Sequence, residues 1–362
     1  MVLVQVVPHK PLQGHKLLVL VPGGPPPSSL DRIRRAFPGL EVVCREKAWA
    51  DADAAAGVPD DDWKDTTILV TGSALPTRDV APKLQYVQLM SAGANHVLDH
   101  PMFKEPDVAF CTANGVHGPQ ISEWVIATFL ALQHHIPQYL DQQKQGLWKR
   151  VDQPVVDSVK KRVGILGYGS IGRQVARVCT AMGMDVHAYT LHARSTPDSR
   201  RDRSYAPPGT GDVEGSFPSK WFSGSSTAEM HEFLGSDLDL LVVSLPLTPK
   251  TQGLLSKPEF EVLSKKRTFI SNISRGPIVN TEDLIEALEN DVIQGAALDV
   301  TDPEPLPEGH KLWNTKNLII TPHTSGLSTA YLERVLDILL LNLHQFSEGK
   351  ELINKVNKKE GY

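Results

Sequence analysis

The stretch Arg162-Val-Gly-Ile-Leu-Gly-Tyr-Gly-Ser-Ile-Gly-Arg-Gln-Val-Ala176 decides the fold of this 362-residue chain. Its first part, residues 163–166, is a short apolar run that predicts a buried parallel strand. The run ends at a glycine-rich turn, residues 167–172, and apolar side chains then recur at helical spacing. A second apolar run at residues 185–189 predicts the next strand, so the stretch has the order of one βαβ unit.

Each glycine of this turn has a separate predicted role. Gly167 allows the tight turn, Gly169 lets the backbone approach a pyrophosphate, and Gly172 lets the helix pack close to the strand. The free N–H groups at Ser170 and Ile171 begin the helix and would hold the phosphates. Because the turn has a strand before it and a helix after it, the pattern predicts a dinucleotide site. A glycine-rich turn without a ligand is the alternative.

The composition is typical of a soluble globular protein, with 41% hydrophobic and 22% charged residues. A formal net charge of -5 at pH 7 gives no basic surface for nucleic acid or anionic membranes. The 3 cysteines lie far apart without CxxC spacing, which favours reduced thiols and no metal site. No run reaches the roughly 18 apolar residues that a membrane span needs. We therefore expect a cytoplasmic protein.

Short apolar runs recur on both sides of the dinucleotide unit and alternate with helix-like segments, which predicts an α/β fold of parallel sheets covered by helices. A long helix is expected to begin at Ser122, whose hydroxyl can cap it, so we place a domain boundary at residues 120–125. Residues 196–227 break this rhythm with many Pro, Gly, Ser and charged residues. Loops of that length are uncommon in compact domains, and a surface insertion is favoured over a cofactor lid.

Three chemically active side chains follow predicted strands in the second half of the chain: Arg275, Glu304 and His323. In open α/β sheets, ligands bind beyond the carboxyl ends of the strands, so all three could converge beside the cofactor. A guanidinium grips a carboxylate at two points and polarises a carbonyl, and an imidazole exchanges a proton near neutral pH. A neighbouring carboxylate orients that imidazole and favours its protonated form. Each residue alone has an ordinary structural explanation, but together they predict a catalytic site.

Several motifs in this order resemble the family of D-isomer-specific 2-hydroxyacid dehydrogenases. They are Gly-Tyr-Gly-Ser-Ile-Gly at 167–172, Ser-Leu-Pro-Leu-Thr at 244–248, Asn-Ile-Ser-Arg-Gly at 272–276, Ala-Leu-Asp-Val-Thr-Asp-Pro-Glu-Pro at 297–305 and Thr-Pro-His at 321–323. The resemblance covers nearly the whole chain. It implies two doubly wound parallel-sheet domains, Rossmann-like and flavodoxin-like, with an active-site cleft between them. The implied domains are a substrate-binding domain at residues 1–122, completed by 328–362, and an NAD(P)-binding domain at residues 123–327.

The resemblance also implies roles for the candidate site residues. Arg275 would bind the substrate carboxylate and carbonyl, His323 would be the general acid and base, and Glu304 would support His323. Backbone N–H groups of Ala92 and Gly93 would face the substrate carboxylate, although an ordinary turn after a strand is the alternative reading of that segment.

Further cofactor contacts are implied after strands of the NAD(P)-binding domain, at Leu245, Pro246, Thr248, Ile273, Asp299 and Gly326. Asp299 would lie near the nicotinamide carboxamide. Family members are usually dimers, so we expect a homodimer with residues 122–148 as the candidate interface. Asn280 stands where the family often has Asp, a departure that removes no catalytic group.

The residues after the second strand of the dinucleotide unit bear on the choice of cofactor. An NAD-specific unit needs an Asp or Glu at the end of that strand. Here the position falls near Thr190, which is not acidic, and Arg194 follows it. Without an acid nothing repels a 2′-phosphate, and Arg194 can pair with it. We predict NADP(H) as the preferred cofactor, with NAD(H) as a second one; an Arg194 that points to solvent is the alternative.

Three functions remain open at this point. The first is reduction of small 2-oxo acids, of the glyoxylate or hydroxypyruvate kind, to D-2-hydroxy acids, or of a bulkier 2-oxo acid. The second is a formate or phosphoglycerate dehydrogenase, although formate dehydrogenases carry Gln where Glu304 stands. The third is a corepressor or scaffold of the same fold that senses NAD(H), and no basic tail supports it. The predicted partners are therefore a small-molecule acid and a second copy of the chain.

Overall fold

The structure, a computed structural model, describes residues 12–46 and 57–358. These residues form two compact units. The first unit contains the described residues up to Val116 and those from Ser328 onward, and the second runs from His117 to Leu327. No helix in the described part of the chain is both long and apolar enough to cross a membrane.

The strands of the described residues belong to two sheets. In chain order they are β1 (Lys16–Val21), β2 (Glu41–Glu46), β3 (Ile68–Thr71), β4 (Tyr86–Leu89), β5 (Ala109–Cys111), β6 (Arg162–Leu166), β7 (Asp185–Thr190), β8 (Lys220–Ser223), β9 (Leu240–Val243), β10 (Phe269–Asn272), β11 (Gly295–Leu298) and β12 (Leu318–Ile320).

The α-helices of the same residues lie between and after these strands. They are α1 (Pro27–Ala36), α2 (Asp60–Lys64), α3 (Pro101–Lys104), α4 (Gly118–Gln133), α5 (Ile136–Lys144), α6 (Ser170–Ala181), α7 (Pro197–Arg200), α8 (Thr227–Leu234), α9 (Lys257–Leu263), α10 (Thr281–Glu289) and α11 (Tyr331–Glu348).

The sheet of the first unit has the strand order β2-β1-β3-β4-β5, and every neighbouring pair is parallel. This order is that of flavodoxin-like doubly wound sheets. Every residue of β1 and β3 is buried and most are apolar, as expected for strands covered on both faces. The last helix, α11, belongs to this unit, where the Asn342 amide donates to Tyr86 Oη at 3.1 Å.

The sheet of the second unit has the order β12-β11-β10-β9-β6-β7-β8 and is also parallel throughout. Alternate residues of β9 enter two different cores: Leu240 and Val242 pack with one cluster, and Leu241 and Val243 with the other. Since successive strand residues point to opposite faces, both faces of this sheet are covered. Two parallel sheets with helices on their faces confirm the predicted fold class.

Two local predictions in this unit are wrong. Helix α4 begins at Gly118 instead of Ser122, and the Ser122 hydroxyl donates to the carbonyl of Pro119 at 2.8 Å as an internal helix residue. Residues 196–227, expected to lack a strand, contain both α7 and β8. Strand β8 is the edge of the sheet, and only one of its four residues is buried. Its pattern therefore lacks the apolar run that marks the central strands.

Candidate active site

The glycine-rich turn between β6 and α6 is closely packed at Gly167 and Gly172 and open at Gly169. Gly167 has φ +102°, and a Cβ there would lie 2.3 Å from the carbonyl oxygen of Ser244. A Cβ on Gly172 would lie 2.5 Å from the carbonyl oxygen of Gly167, so the helix approaches the turn too closely for a side chain. A Cβ on Gly169 would meet nothing within 4 Å. The turn thus has the close packing and the open space that a pyrophosphate site requires.

The other residues predicted to contact the cofactor follow the carboxyl ends of neighbouring strands. Thr190 ends β7, Leu245, Pro246 and Thr248 follow β9, Ile273 follows β10, and Gly326 lies in the loop after β12. Because all strands of this sheet are parallel, these residues lie along the same edge as the glycine-rich turn, where Ser170 and Ile171 begin α6. The described residues of this edge fit a dinucleotide.

Arg275 lies in a tight turn after β10. The Asn272 side chain, 1% exposed, holds this turn by accepting from the Ser274 amide at 3.1 Å and donating to the Arg275 carbonyl at 3.2 Å. A Cβ on Gly276 would lie 1.9 Å from the carbonyl oxygen of Thr301, so the turn is pressed against the segment that follows β11. The turn of Arg275 is thereby fixed beside the segment that carries Glu304.

The Arg275 guanidinium is partly buried, and its Nη1 donates to the Ser274 carbonyl at 2.7 Å. Burial lowers the pKa of Arg275, and the nearby Glu304 carboxylate opposes that shift. An arginine remains charged under such a shift, because its ordinary pKa lies above 12. A partly desolvated cation of this kind attracts a small anion more strongly than an exposed one.

His323 and Glu304 form a hydrogen-bonded pair after β12 and β11. The Nδ1 atom of His323 lies 2.7 Å from Glu304 Oε1, and both side chains are accessible to solvent. His323 has φ 53°, a left-handed conformation that costs a non-glycine residue about 1–3 kcal/mol. Its backbone N–H donates to the carbonyls of Asp299 at 2.8 Å and Thr321 at 3.0 Å. Strain of this size persists only where surrounding contacts hold the residue in place.

The Asp299 carboxylate provides those contacts. It is 2% exposed and accepts from the Thr321 hydroxyl at 2.6 Å, the Thr324 amide at 2.8 Å and the Ser325 amide at 3.1 Å. The Ser325 hydroxyl donates to its second oxygen. Asp299 therefore organises the loop that carries His323, a role that the sequence motif alone did not indicate.

The loop after β7 is exposed. The Thr190 hydroxyl donates to the His192 carbonyl at 2.8 Å, and Arg194 Nη1 donates to the Ser199 carbonyl at 2.7 Å. The nearest acid in sequence on the same strand, Asp185, lies at the opposite end of β7, where it contacts Arg162 at 2.9 Å. The carboxyl end of the strand thus has a cationic loop and no acidic residue of its own.

The segment predicted to face the substrate carboxylate lies in the first unit, after β4. Ala92 is exposed and Gly93 is partly buried. The Ser91 hydroxyl donates to the Gly93 carbonyl at 2.7 Å, which closes the turn. The Ser91 carbonyl in turn accepts from the Ala113 amide at 2.8 Å.

Sequence reasoning missed the role of Asn272 and left the departure at Asn280 unexplained. Asn272 had a signal, since a polar residue at the end of an apolar strand must find buried partners. Asn280 caps α10, and its side chain accepts from the Asp283 amide at 3.0 Å. Asn and Asp are equally good at this position, which accounts for the departure noted in the sequence. Among the described residues, no group of three or more His, Cys, Asp and Glu is placed to hold a metal ion.

Comparisons with known proteins identify the family of the chain. The family model for the NAD-binding domain of D-isomer-specific 2-hydroxyacid dehydrogenases matches residues 126–207 and 219–325. The glyoxylate reductase/hydroxypyruvate reductase of Homo sapiens is 31% identical over 263 residues, 72% of each chain. The hydroxypyruvate reductase of Blautia hydrogenotrophica is 28% identical over 303 residues, 81% of this chain and 86% of that protein.

One solved structure is similar to this chain over almost the whole length of both. The NADPH-dependent glyoxylate/hydroxypyruvate reductase of Sinorhizobium meliloti, in complex with NADP and sulfate, has a TM-score of 0.69 and 26% identity. The similarity covers 96% of this chain and 100% of that one. The chain belongs to the family of D-isomer-specific 2-hydroxyacid dehydrogenases. It is an oxidoreductase that uses a nicotinamide cofactor on 2-oxo and 2-hydroxy acids.

Proposed function

We propose that this protein reduces small 2-oxo acids, of the glyoxylate and hydroxypyruvate kind, to D-2-hydroxy acids, and that it prefers NADPH to NADH. The observation that carries this proposal is the His323–Glu304 pair, 2.7 Å apart, beside the partly buried Arg275 at one edge of the dinucleotide sheet. The names of the relatives, glyoxylate and hydroxypyruvate reductases, support the substrate class.

Each of the three side chains has a separate proposed role in the reduction. A reduced nicotinamide, when bound, supplies the hydride. Arg275 binds the substrate carboxylate and polarises the carbonyl, for which a planar cation with paired donors is suited. His323 has Nδ1 engaged with Glu304, so we assign to Nε2 the proton that the carbonyl oxygen receives. Glu304 orients the ring through this contact.

The cofactor contacts are assigned to the edge described above. The turn with Gly167, Gly169 and Gly172 receives the pyrophosphate, and residues after β9 and β10 lie along the rest of the dinucleotide. Arg194 pairs with the 2′-phosphate, because β7 ends in Thr190 rather than in an acid and the loop that follows offers a guanidinium. The neighbouring enzyme solved with NADP supports this preference.

The substrate-carboxylate role of Ala92 and Gly93 stays a prediction, as does a cytoplasmic location. We also propose a homodimer. Several large apolar side chains are exposed along α5 and the segment after it: Ile136, Leu140, Leu147, Trp148, Val156 and Val159. Exposed apolar side chains that are this numerous in one segment support its assignment as a protein interface.

A panel of 2-oxo acids tests the activity and the cofactor together. Oxidation of NADPH and NADH is followed by near-ultraviolet absorbance with glyoxylate, hydroxypyruvate, pyruvate and a bulkier aromatic 2-oxo acid. We expect the highest kcat/KM with glyoxylate and hydroxypyruvate and a kcat/KM ratio that favours NADPH over NADH. No turnover with any acid, while the cofactor still binds, would contradict the enzyme assignment and favour the NAD(H)-sensing corepressor. A ratio that favours NADH would contradict the cofactor preference.

Two variants isolate the contribution of Arg194. Arg194→Ala should lower kcat/KM for NADPH on the order of tenfold, the value of one charge-assisted contact, and leave NADH unaffected. Arg203→Ala is the matched control, because Arg203 is an exposed arginine of the same segment that pairs with Asp198 at 3.0 Å. Equal losses in both variants would mean that only the general positive charge of the segment matters.

A further inference from the structure

The segment from residue 200 to residue 217, called the strap below, packs against the dinucleotide-binding turn and helix. The family model matches residues 126–207 and 219–325, so the tip of the strap lies outside the residues matched to the common domain. It is nevertheless an ordered part of the unit. Asp212 at its tip is 3% exposed, and Asp202 donates its backbone N–H to the Val213 carbonyl at 2.7 Å.

The Asp212 carboxylate joins the strap to the glycine-rich turn. It accepts from the amides of Ser216 at 2.9 Å and Phe217 at 3.1 Å, which closes the tip of the strap. It also accepts from the Tyr168 hydroxyl at 2.8 Å. Tyr168 is 4% exposed and lies between Gly167 and Gly169. Burial and the Asp212 charge raise the pKa of Tyr168, so its phenol stays protonated and donates.

Three side chains of α6 fasten the strap from the other side. Arg173 donates from Nη1 to the Asp212 carbonyl at 2.5 Å and from Nη2 to the Arg200 carbonyl at 2.7 Å. Arg177 Nε donates to the Gly211 carbonyl at 2.7 Å, and Gln174 Oε1 accepts from the Gly211 amide at 2.7 Å. The Arg173 guanidinium also lies over the Tyr168 ring, 5.1 Å from its centroid.

These contacts bury a charged side chain, which an exposed surface loop would not require. Arg173 is 5% exposed, and a buried cation is stable only when its donors are paired. The strap supplies those partners with main-chain carbonyls, which are fixed in direction. The strap therefore restrains Tyr168, which lies between Gly167 and Gly169 where the backbone would approach the pyrophosphate. A residue flanked by two glycines is otherwise free to sample many backbone conformations.

We propose that the strap is a positioning element for the cofactor, and that the Tyr168–Asp212 hydrogen bond holds the glycine-rich turn in its pyrophosphate-receiving shape. The proposal rests on the assignment of that turn to the pyrophosphate under Proposed function. Tyr168 and Asp212 act through the turn as positioning residues. Pre-organisation of this kind lowers the ordering cost of binding, so its loss weakens every ligand that uses the pyrophosphate contact.

Tyr168→Phe tests the proposal, because it removes the hydroxyl and keeps the ring that packs with Trp221 at 5.0 Å. Dissociation constants are measured on the full-length protein for NADPH, NADH, ADP and adenosine 2′-monophosphate, which has the 2′-phosphate and no pyrophosphate. We expect the first three to weaken by a similar factor, on the order of three- to tenfold for one hydrogen bond, and the last to stay unchanged. At saturating cofactor, kcat should stay near that of the wild type.

The matched control is Tyr139→Phe, which removes a tyrosine hydroxyl from the same unit, at α5. It should leave all four dissociation constants unchanged. Asp212→Asn, which keeps the shape and weakens the acceptor, should repeat the pattern of Tyr168→Phe and provides a second measurement if that variant folds poorly. Unchanged NADPH and ADP binding in both variants, or an equal loss for adenosine 2′-monophosphate, would overturn the proposal.

The wild type separates this proposal from the one on which it rests. If the glycine-rich turn receives the pyrophosphate, the wild type should bind ADP more tightly than adenosine. Equal affinity for the two would overturn the pyrophosphate assignment and the strap proposal with it. If the wild type binds ADP more tightly than adenosine and Tyr168→Phe binds ADP as tightly as the wild type, only the role of the strap would be overturned.

Discussion

Replacement of Asp299 should loosen the loop that carries His323. The carboxylate accepts from two amides, those of Thr324 and Ser325, and from two hydroxyls. Asp299→Ala leaves both amides without this acceptor, and a buried donor without a partner costs about 1–3 kcal/mol. Because the Thr324 amide is only partly buried, we expect a loss of roughly 2–4 kcal/mol in the free energy of unfolding of the variant.

Asp299→Asn should be milder and still informative. Asparagine keeps one acceptor oxygen for the Thr324 amide, and its NH₂ group can donate to the Ser325 hydroxyl after that hydroxyl rotates. The lost charge weakens these bonds by roughly 1 kcal/mol each, since bonds to charged groups are about twice as strong as neutral ones. The left-handed backbone of His323, held by this loop, then has less support.

The assay combines stability, loop exchange and kinetics. Chemical unfolding gives the free energies, and hydrogen–deuterium exchange of residues 319–327 reports the Thr324 and Ser325 amides directly. We expect faster exchange in both variants and a kcat reduced on the order of 10- to 100-fold, as for a misplaced catalytic group. Glu308→Ala, at an exposed carboxylate before β12, is the control for loss of charge. Exchange and stability like those of the wild type in Asp299→Ala would refute this account of the loop.

The remaining predictions concern the reacting side chains and one buried histidine. Arg275→Ala should lower kcat/KM for the 2-oxo acid on the order of 10²–10³-fold with cofactor affinity kept, and Arg275→Lys should also be poor because an ammonium lacks the planar two-point grip; steady-state rates comparable to the wild type would exclude this site. Glu304→Gln keeps a partner beside His323 but removes the carboxylate 2.7 Å from its Nδ1. Since a hydrogen bond to a charged group is about twice as strong as a neutral one, kcat for reduction should fall on the order of tenfold with cofactor affinity kept, which steady-state rates measure. Burial, with Arg162 as the next cause, lowers the pKa of His187. Near pH 6.5 and below, His187 binds a proton in the unfolded state but stays neutral in the folded state. The free energy of unfolding therefore decreases as the pH falls below that value, by at most about 1.4 kcal/mol per pH unit. His187→Gln should reduce the fall in Tm between pH 7.5 and 5.5, and an unchanged fall would contradict this assignment.

The parts of the fold that the sequence predicted depend on local patterns. Strand, glycine-rich turn and helix follow each other directly at residues 162–181, so spacing alone was sufficient to recognise them. Arg275 and His323 could be placed together because the carboxyl ends of parallel strands share one edge. What the sequence could not reveal depends on distant partners. The Tyr168 hydroxyl meets an acceptor 44 positions away, and nothing in the composition of a Pro- and Gly-rich segment predicts that contact.

The start of α4 shows why element boundaries were less predictable than element types. Ser122 is a good capping residue, but the helix begins at Gly118 with Pro119 in its first turn, a position where the missing N–H costs nothing. The additional turn carries Gln120, whose amide donates to the Gly326 carbonyl at 2.9 Å. A tertiary contact after the His323 loop thus accompanies the longer helix, and local propensity contains no information about it.

The candidate site combines two strategies for holding reactive groups. Arg275 is fixed by its backbone, since Asn272 and the close approach of Gly276 to Thr301 leave the turn no alternative shape. His323 is instead held through a charged anchor, the buried Asp299 carboxylate, in a conformation that its own backbone disfavours. Arg275 is proposed to act as a fixed positive charge, so a rigid turn is sufficient to position it. The proposed acid role of His323 requires the residue to stay in place with and without the proton, and Asp299 meets this requirement because it holds the neighbouring amides of Thr324 and Ser325.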